Sequence, residues 1–274
     1  MNLINIWDID ALVIKEGKDF TPYMTFFKAK NPINKAVLVI PGGGYYGVCD
    51  TYEGEEVAEY FNEFGVDAFV LRYSTISTMG KPVFPEPFCE ATRAMRLIRA
   101  NADMFDINPN CLGIMGFSAG GHLASWVSTK FNDKLSEDDD LFDKFSARPD
   151  FSVLCYPVLF LHDLTPYGIT GVNLLGEKAS DEEKDKYSTP YYVSKDTPPT
   201  FLFHTQADQV VPVINSVKYY EAMIEHGVKG ELHIYRPGSH GMGLAKPLEH
   251  IDHGDTDYCS SWPKLLKNWI INMI

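Results

Sequence analysis

Short apolar runs alternate with amphipathic stretches along most of this chain. Ala36 to Ile40 reads A-V-L-V-I, and Ala68 to Tyr73, Cys111 to Met115, Phe151 to Tyr156 and Thr200 to His204 have the same character. Each is long enough for a strand buried on both faces and too short for a helix. Glu231 to Tyr235 reads as a further strand. Between these runs the period changes. Gly54 to Phe64 sets Val57, Ala58, Tyr60 and Phe61 against glutamates, with Gly65 as the stop. Cys89 to Met104, Val213 to His226 and Tyr258 to Ile274 also read as helices, the last with Trp262, Leu265, Leu266, Trp269 and Ile270 inward. Strands alternating with helices predict an α/β fold: a mostly parallel central sheet with helices on both faces, joined by right-handed crossovers. In such sheets ligands sit at the carboxyl ends of the strands. Residues 1–30 alternate loosely and predict one or two antiparallel edge strands.

Val158 to Pro199 has no strong period and holds Gly168, Gly171, Gly176 and the charged run Ser180 to Lys186. Two readings stay open: a lid or substrate loop inserted into the domain, or a solvated helical excursion. The chain has 274 residues, 45% of them hydrophobic, which fits a single α/β domain over 1–274 with an insertion at 158–199.

Charge narrows the partners. The formal net charge of −13 would repel a polyanion, and no Lys/Arg cluster offsets it, so nucleic acid is not an expected partner. No apolar run approaches a membrane span, so neither is a membrane. Met1 to Lys15 carries Asp8 and Asp10 and no basic segment, unlike a secretory signal. Cys49, Cys89, Cys111, Cys155 and Cys259 are scattered, which predicts reduced thiols in a cytoplasmic protein.

The candidate chemistry centres on Asn110 to Trp126, N-C-L-G-I-M-G-F-S-A-G-G-H-L-A-S-W. An apolar strand runs into Gly116-Phe117-Ser118-Ala119-Gly120, and helix-compatible residues follow. This is the context in which G-x-S-x-G marks a nucleophile elbow, with a strained serine whose hydroxyl projects above the sheet. A serine hydroxyl needs a base, and the base needs an orienting acid. The strand Thr200 to His204 leads to Asp208, and the strand Glu231 to Tyr235 leads to His240 in a glycine-flanked loop. Ser118, Asp208 and His240 thus fall at strand ends in the required order. His122, His204 and His233 lie inside predicted elements, and His162 and His226 are less well placed. His250 and His253, near Asp252, Asp255 and Asp257, have no metal-ligand spacing, and no metal is expected.

Pro41-Gly42-Gly43-Gly44-Tyr45-Tyr46-Gly47 admits two readings. Gly42, Gly44 and Gly47 satisfy G-x-G-x-x-G, the fingerprint of an NAD-binding protein. However, the next helix starts too late, and no acid ends the next strand to hold a ribose. The second reading is an oxyanion loop, in which the N–H groups of Gly43 and Gly44 join that of Ala119. It explains Ser118, Asp208 and His240 together.

Pro41 to Tyr45, Gly116 to His122, Pro198-Pro199-Thr200-Phe201, Asp208 with Val211-Pro212, and Gly238-Ser239-His240-Gly241 resemble the α/β-hydrolase esterases of the acetylxylan-esterase type. The resemblance runs from about residue 33 to the C-terminus. Its motifs are specific for a serine hydrolase and less so for substrate. Pro41 stands where hormone-sensitive-lipase relatives carry histidine. The resemblance implies an α/β-hydrolase fold and removal of acetyl groups from xylan or its oligosaccharides, without cofactor. Tyr45, Tyr46 and Met242, close to the motifs, are expected to line the substrate pocket with parts of 158–199. A peptidase or another esterase of the same fold, or a non-catalytic binding module, remain as alternatives.

Overall fold

The apolar runs and amphipathic stretches become, in chain order, β1 (Asn2–Asn5), β2 (Tyr23–Phe27), β3 (Lys35–Ile40), α1 (Glu56–Glu63), β4 (Val66–Arg72), α2 (Ile76–Met79), α3 (Glu86–Ala100) and α4 (Ala102–Phe105). There follow β5 (Leu112–Phe117), α5 (Ser118–Lys130), β6 (Phe151–Cys155), α6 (Ile169–Leu175), α7 (Asp181–Asp185), β7 (Thr200–Thr205), α8 (Ile214–Glu225), β8 (Gly230–Tyr235), α9 (Thr256–Cys259) and α10 (Trp262–Asn272). The computed structural model describes residues 2–8, 19–135, 141–162, 168–246, 256–272 and 274.

The strands form one sheet in the order β1-β2-β4-β3-β5-β6-β7-β8. β1, β2 and β4 pair antiparallel, and every pair from β4 onward is parallel. The strand order reverses at β3, which lies between β4 and β5. A crevice opens at such a reversal because the two connections leave towards opposite faces. The glycine loop follows β3, and Ser118 follows β5.

Period-two alternation divides the core between the faces. Ala36, Leu38 and Ile40 of β3 pack with Phe88, Ala91 and Leu97 of α3 and Leu123 of α5. Val37 and Val39 face the other way, towards Val57 and Phe61 of α1 and Trp262 and Trp269 of α10. Burial of a side chain such as Phe61 contributes about 1.5–3 kcal/mol relative to exposure.

Differences from the sequence expectation concern helix ends. α3 starts at Glu86, ahead of the expected Cys89, because Pro87 is tolerated in a first helical turn. It stops at Ala100, and Asn101, at φ −109° and ψ 26°, separates it from α4. The closing helix is likewise divided into α9 and α10, with Pro263 second in α10. A wide turn at Thr51–Glu55 precedes α1. The described part of 158–199 contains α6, α7 and a 3₁₀ turn at Thr189–Tyr192, joined by irregular segments.

Candidate active site

Ser118 sits at the junction of β5 and α5 with a left-handed φ of 50°. A side chain in that region is strained, and here the close approach of neighbours holds it. A Cβ at Gly116 would lie 2.1 Å from the carbonyl oxygen of Gly120, and one at Gly120 would lie 2.2 Å from that of Ile40. Glycine at both positions lets α5 start directly against the sheet.

The structure brings the three separated side chains together. His240 Nδ1 lies 2.7 Å from Asp208 Oδ2, and its Nε2 lies 2.8 Å from Ser118 Oγ. A carboxylate only accepts, so Nδ1 carries the proton and Nε2 is left to accept from the serine hydroxyl. Asp208 is buried, and its Oδ1 accepts the N–H groups of Val210 and Val211 at 2.9 and 2.8 Å. His204 Nε2, which donates to the Val211 carbonyl at 2.8 Å, also lies 3.4 Å from Asp208 Oδ2. Burial pushes the Asp208 carboxyl up, but its bonds to His204, His240 and Val211 outweigh this and hold it well below the usual carboxylate range. The His240 loop is tied at both flanks: Thr205 Oγ1 donates to the Gly238 carbonyl at 2.7 Å, and Gly243 N–H donates to Tyr156 Oη at 2.8 Å.

The glycine loop is oriented by its carbonyls. Gly42 O accepts from Cys49 N, and Gly43 O accepts from Tyr46 N and Gly47 N. In a trans peptide the N–H points opposite to the C=O, so the following N–H groups, of Gly43 and Gly44, face away from that turn. Among the described residues no acceptor takes up either of them. A helix also leaves its first N–H groups without intrahelical partners, and Ala119 is the second residue of α5. Gly43, Gly44 and Ser118 line one cavity of about 200 Å³ with Tyr52, Ile169 and Val210. Carboxylate, imidazole, hydroxyl and preorganised donors in this arrangement are equipped for acyl transfer.

The residues expected to line the substrate pocket lie elsewhere. Tyr45, at φ 57°, turns its ring into the core, where its hydroxyl meets His122 Nδ1 at 2.9 Å. His122 is held neutral by burial, its value pulled down to about 4, and its Nε2 donates to the Tyr187 carbonyl. Tyr46 points to solvent, 63% exposed, and Met242 is buried in the core behind the His240 loop. None of the three lines the cavity. The dinucleotide reading also fails on geometry: the N–H of Gly42 is taken by the buried carboxyl of Glu53 at 2.8 Å, where an anion would be repelled. Glu53 itself was not legible in the sequence, since it sits in an acidic stretch, C-D-T-Y-E-G-E-E, with no local feature to single it out. His250, His253, Asp252 and Asp255 lie outside the described residues, and among the described residues no group of acids, histidines and cysteines could hold a metal.

A sheet of this order, a strained serine at the strand–helix turn and a histidine and aspartate on the loops after β8 and β7 define an α/β-hydrolase. The fold agrees with that of the acetyl ester-xyloside bifunctional hydrolase from Caldicellulosiruptor lactoaceticus, with a TM-score of 0.85 and 37% identity over 99% of this chain and 96% of that one. The family model of BD-FAE matches residues 25–223, and the chain belongs to that family. It is similar to endo-1,4-beta-xylanase B of Butyrivibrio fibrisolvens, 35% identical over 242 residues, and to an acetylxylan esterase of Xylanibacter ruminicola, 34% identical over 233 residues. These alignments cover 88% and 84% of this chain but only 38% and 45% of the two relatives.

Proposed function

We propose that this chain is a serine carboxylesterase that removes short acyl groups, acetyl foremost, from carbohydrate esters such as acetylated xylo-oligosaccharides. The observation that carries the reading is the Ser118 hydroxyl at 2.8 Å from an imidazole whose other nitrogen is held by a buried carboxylate. The names of the acetylxylan esterase and of the acetyl ester-xyloside hydrolase support the substrate class.

In the first step Ser118 Oγ attacks the ester carbonyl while His240 Nε2 takes its proton. Asp208 stabilises the resulting imidazolium, and the N–H groups of Gly43, Gly44 and Ala119 receive the oxyanion. The imidazolium then protonates the sugar oxygen, the alcohol leaves, and an acetyl-serine remains. Water then attacks that ester while the same imidazole takes its proton, and the imidazolium returns the proton to Ser118 Oγ as acetate leaves. Both steps balance with water as the sole co-reactant.

The insertion at 158–199 acts as a substrate loop in this reading. Ile169 and Thr170 of α6 line the cavity, and Asn173 reaches the glycine loop. All five cysteines, which lie among the described residues, are thiols, consistent with a cytoplasmic setting. Among the described residues no helix is long and apolar enough to cross a membrane.

Acetate release from acetylated xylo-oligosaccharides, compared with other acetylated sugars, tests the substrate class. A p-nitrophenyl ester series tests the acyl group: the rate should fall from acetate towards octanoate. Preference for the eight-carbon ester, or equal rates in wild type and Ser118→Ala, would refute the proposal.

A further inference from the structure

The carboxyl of Glu53 has no part in the acyl transfer described above, yet it is tied to both loops that carry it, to one directly and to the other through Tyr156. Its Oε2 accepts the N–H of Gly42 at 2.8 Å, and its Oε1 accepts the hydroxyl of Tyr156 at 2.7 Å. That hydroxyl accepts in turn from the N–H of Gly243 at 2.8 Å. The Tyr156 ring meets the His240 ring edge-on, with centroids 5.1 Å apart. A continuous relay therefore runs from Gly243 N–H through Tyr156 O–H to the carboxyl, which Gly42 N–H approaches from the other side. One end is the backbone of the His240 loop, and the other is the glycine loop. Glu53 and Tyr156 are 2% and 1% exposed.

A buried carboxyl costs free energy unless its oxygens are used. Here both are used, by donors that cannot turn round: a backbone N–H, and a hydroxyl whose lone pair is already engaged. Only the ionised carboxyl accepts from both. A glutamine in the same place would offer one acceptor and one NH₂, and one of the two donors would face a donor. The groups that face Glu53 are Cys49 and Tyr52 from its own turn, Tyr73, Cys155, Tyr156 and His240. Burial raises the thiols and phenols among them and keeps them neutral, so the imidazole is the neighbour among these that becomes cationic, when it takes the serine proton. Burial pushes the Glu53 carboxyl up, and its bonds to Tyr156 and Gly42 and the nearby His240 offset only part of that rise.

We propose that Glu53 and Tyr156 are a positioning pair: they fix the oxyanion-loop amides relative to the His240 ring, and the carboxylate is a second anionic neighbour of the imidazolium formed during turnover. The inference rests on the assignment of Ser118, His240 and Asp208 to acyl transfer. It makes the loops after β3 and β8 one mechanical unit, closed by a residue that precedes α1.

The test compares p-nitrophenyl acetate hydrolysis by wild type, Glu53→Gln, Tyr156→Phe and Ser118→Ala across pH. For the first three, rates are divided by the concentration of sites that react with a fluorophosphonate, so misfolded protein does not count. Both positioning variants should lose kcat by roughly 10–100-fold, with KM little changed. Glu53→Gln should also move the acid limb of kcat/KM to lower pH, because the imidazole loses an anion that favours its charged form. Tyr156→Phe keeps the carboxyl itself and should move the limb less than Glu53→Gln does. Wild-type kcat per labelled site in Glu53→Gln would overturn the positioning role, and an unmoved acid limb would overturn the electrostatic one. Wild-type activity in Ser118→Ala would instead reject the esterase assignment itself.

Discussion

Asn173 donates its side-chain amide to the carbonyl oxygen of Gly44 at 2.8 Å. The bond joins α6 to the loop whose N–H groups face the cavity. It also fixes the peptide at which the chain turns left-handed, since Gly44 and Tyr45 have φ of 63° and 57°. Asn173 is 8% exposed, so its loss leaves the carbonyl without a ready water. Asn173→Ala is expected to cost about 1 kcal/mol of stability. Loosening of the donor loop should also lower kcat/KM for p-nitrophenyl acetate by roughly 10-fold. Thermal unfolding and steady-state kinetics on the same preparation check both numbers.

The hydrogen-bond polarity at His240 makes a second prediction. Asp208→Asn presents an NH₂ or a carbonyl to Nδ1 and removes the charge that holds its proton, so the ring is free to take the wrong tautomer. The expected loss in kcat is about 10⁴-fold. Ser118→Ala and His240→Ala act on one unit, so the double variant should be no slower than the slower single one. Additive losses measured under single-turnover conditions would contradict the arrangement.

Stability should depend on pH through Glu90 on α3. This carboxyl is buried and is pushed up to about 7, against two hydrogen bonds from Ser74 that oppose the rise. A carboxyl with a raised folded value holds its proton more tightly in the folded chain. Its contribution is therefore present at low pH and is lost as pH rises from the ordinary carboxylate range through about 7. The loss amounts to about 3 kcal/mol, or roughly 5–10 °C in unfolding temperature for a chain of this size. Asp208, held low, has the opposite sign and loses its contribution only in strong acid. Glu90→Gln still meets Ser74 with one donor and one acceptor. Melting curves of this variant between about pH 5 and pH 8 should lack the Glu90 component of the decline.

Helix propensity and sterics conflict at Gly120, and sterics should win. Alanine in place of glycine within a helix ordinarily stabilises by about 1 kcal/mol. Here the added Cβ would meet the carbonyl oxygens of Ile40 and Pro41 at 2.2 and 2.4 Å. These are backbone atoms at the end of β3 and the start of the glycine loop, and they cannot give way without moving that loop. Gly120→Ala should destabilise by about 1–3 kcal/mol and lower activity as well. An increase in unfolding temperature would show that α5 can withdraw from the sheet.

Much of this architecture is written locally in the chain. A five- or six-residue apolar run has few ways to be buried other than as a strand, so β3 to β7 are legible without coordinates. The elbow is legible for the same reason: Gly116 and Gly120 flank Ser118 within five residues, and their lack of a side chain has one steric meaning there. Asp208 and His240 could be chosen by chain order, because a parallel sheet delivers every strand end to the same edge. Helix ends were less legible, since Pro87 reads as a breaker until its position in the first turn is known.

Tertiary structure alone decided which side chains face the cavity. Tyr45 and Tyr46 are neighbours of the donor loop in sequence, but one turns inward to His122 and the other outward to solvent. Direction there depends on the left-handed turn at Gly44 and Tyr45, which composition does not encode. Glu53 reaches the glycine loop from 11 residues on and Asn173 from 129, and no period or motif marks either. The physical reason is range. A strand or a turn is selected by interactions between residues a few positions apart. The partner of a buried polar group is selected by whatever the finished packing places within about 3 Å of it.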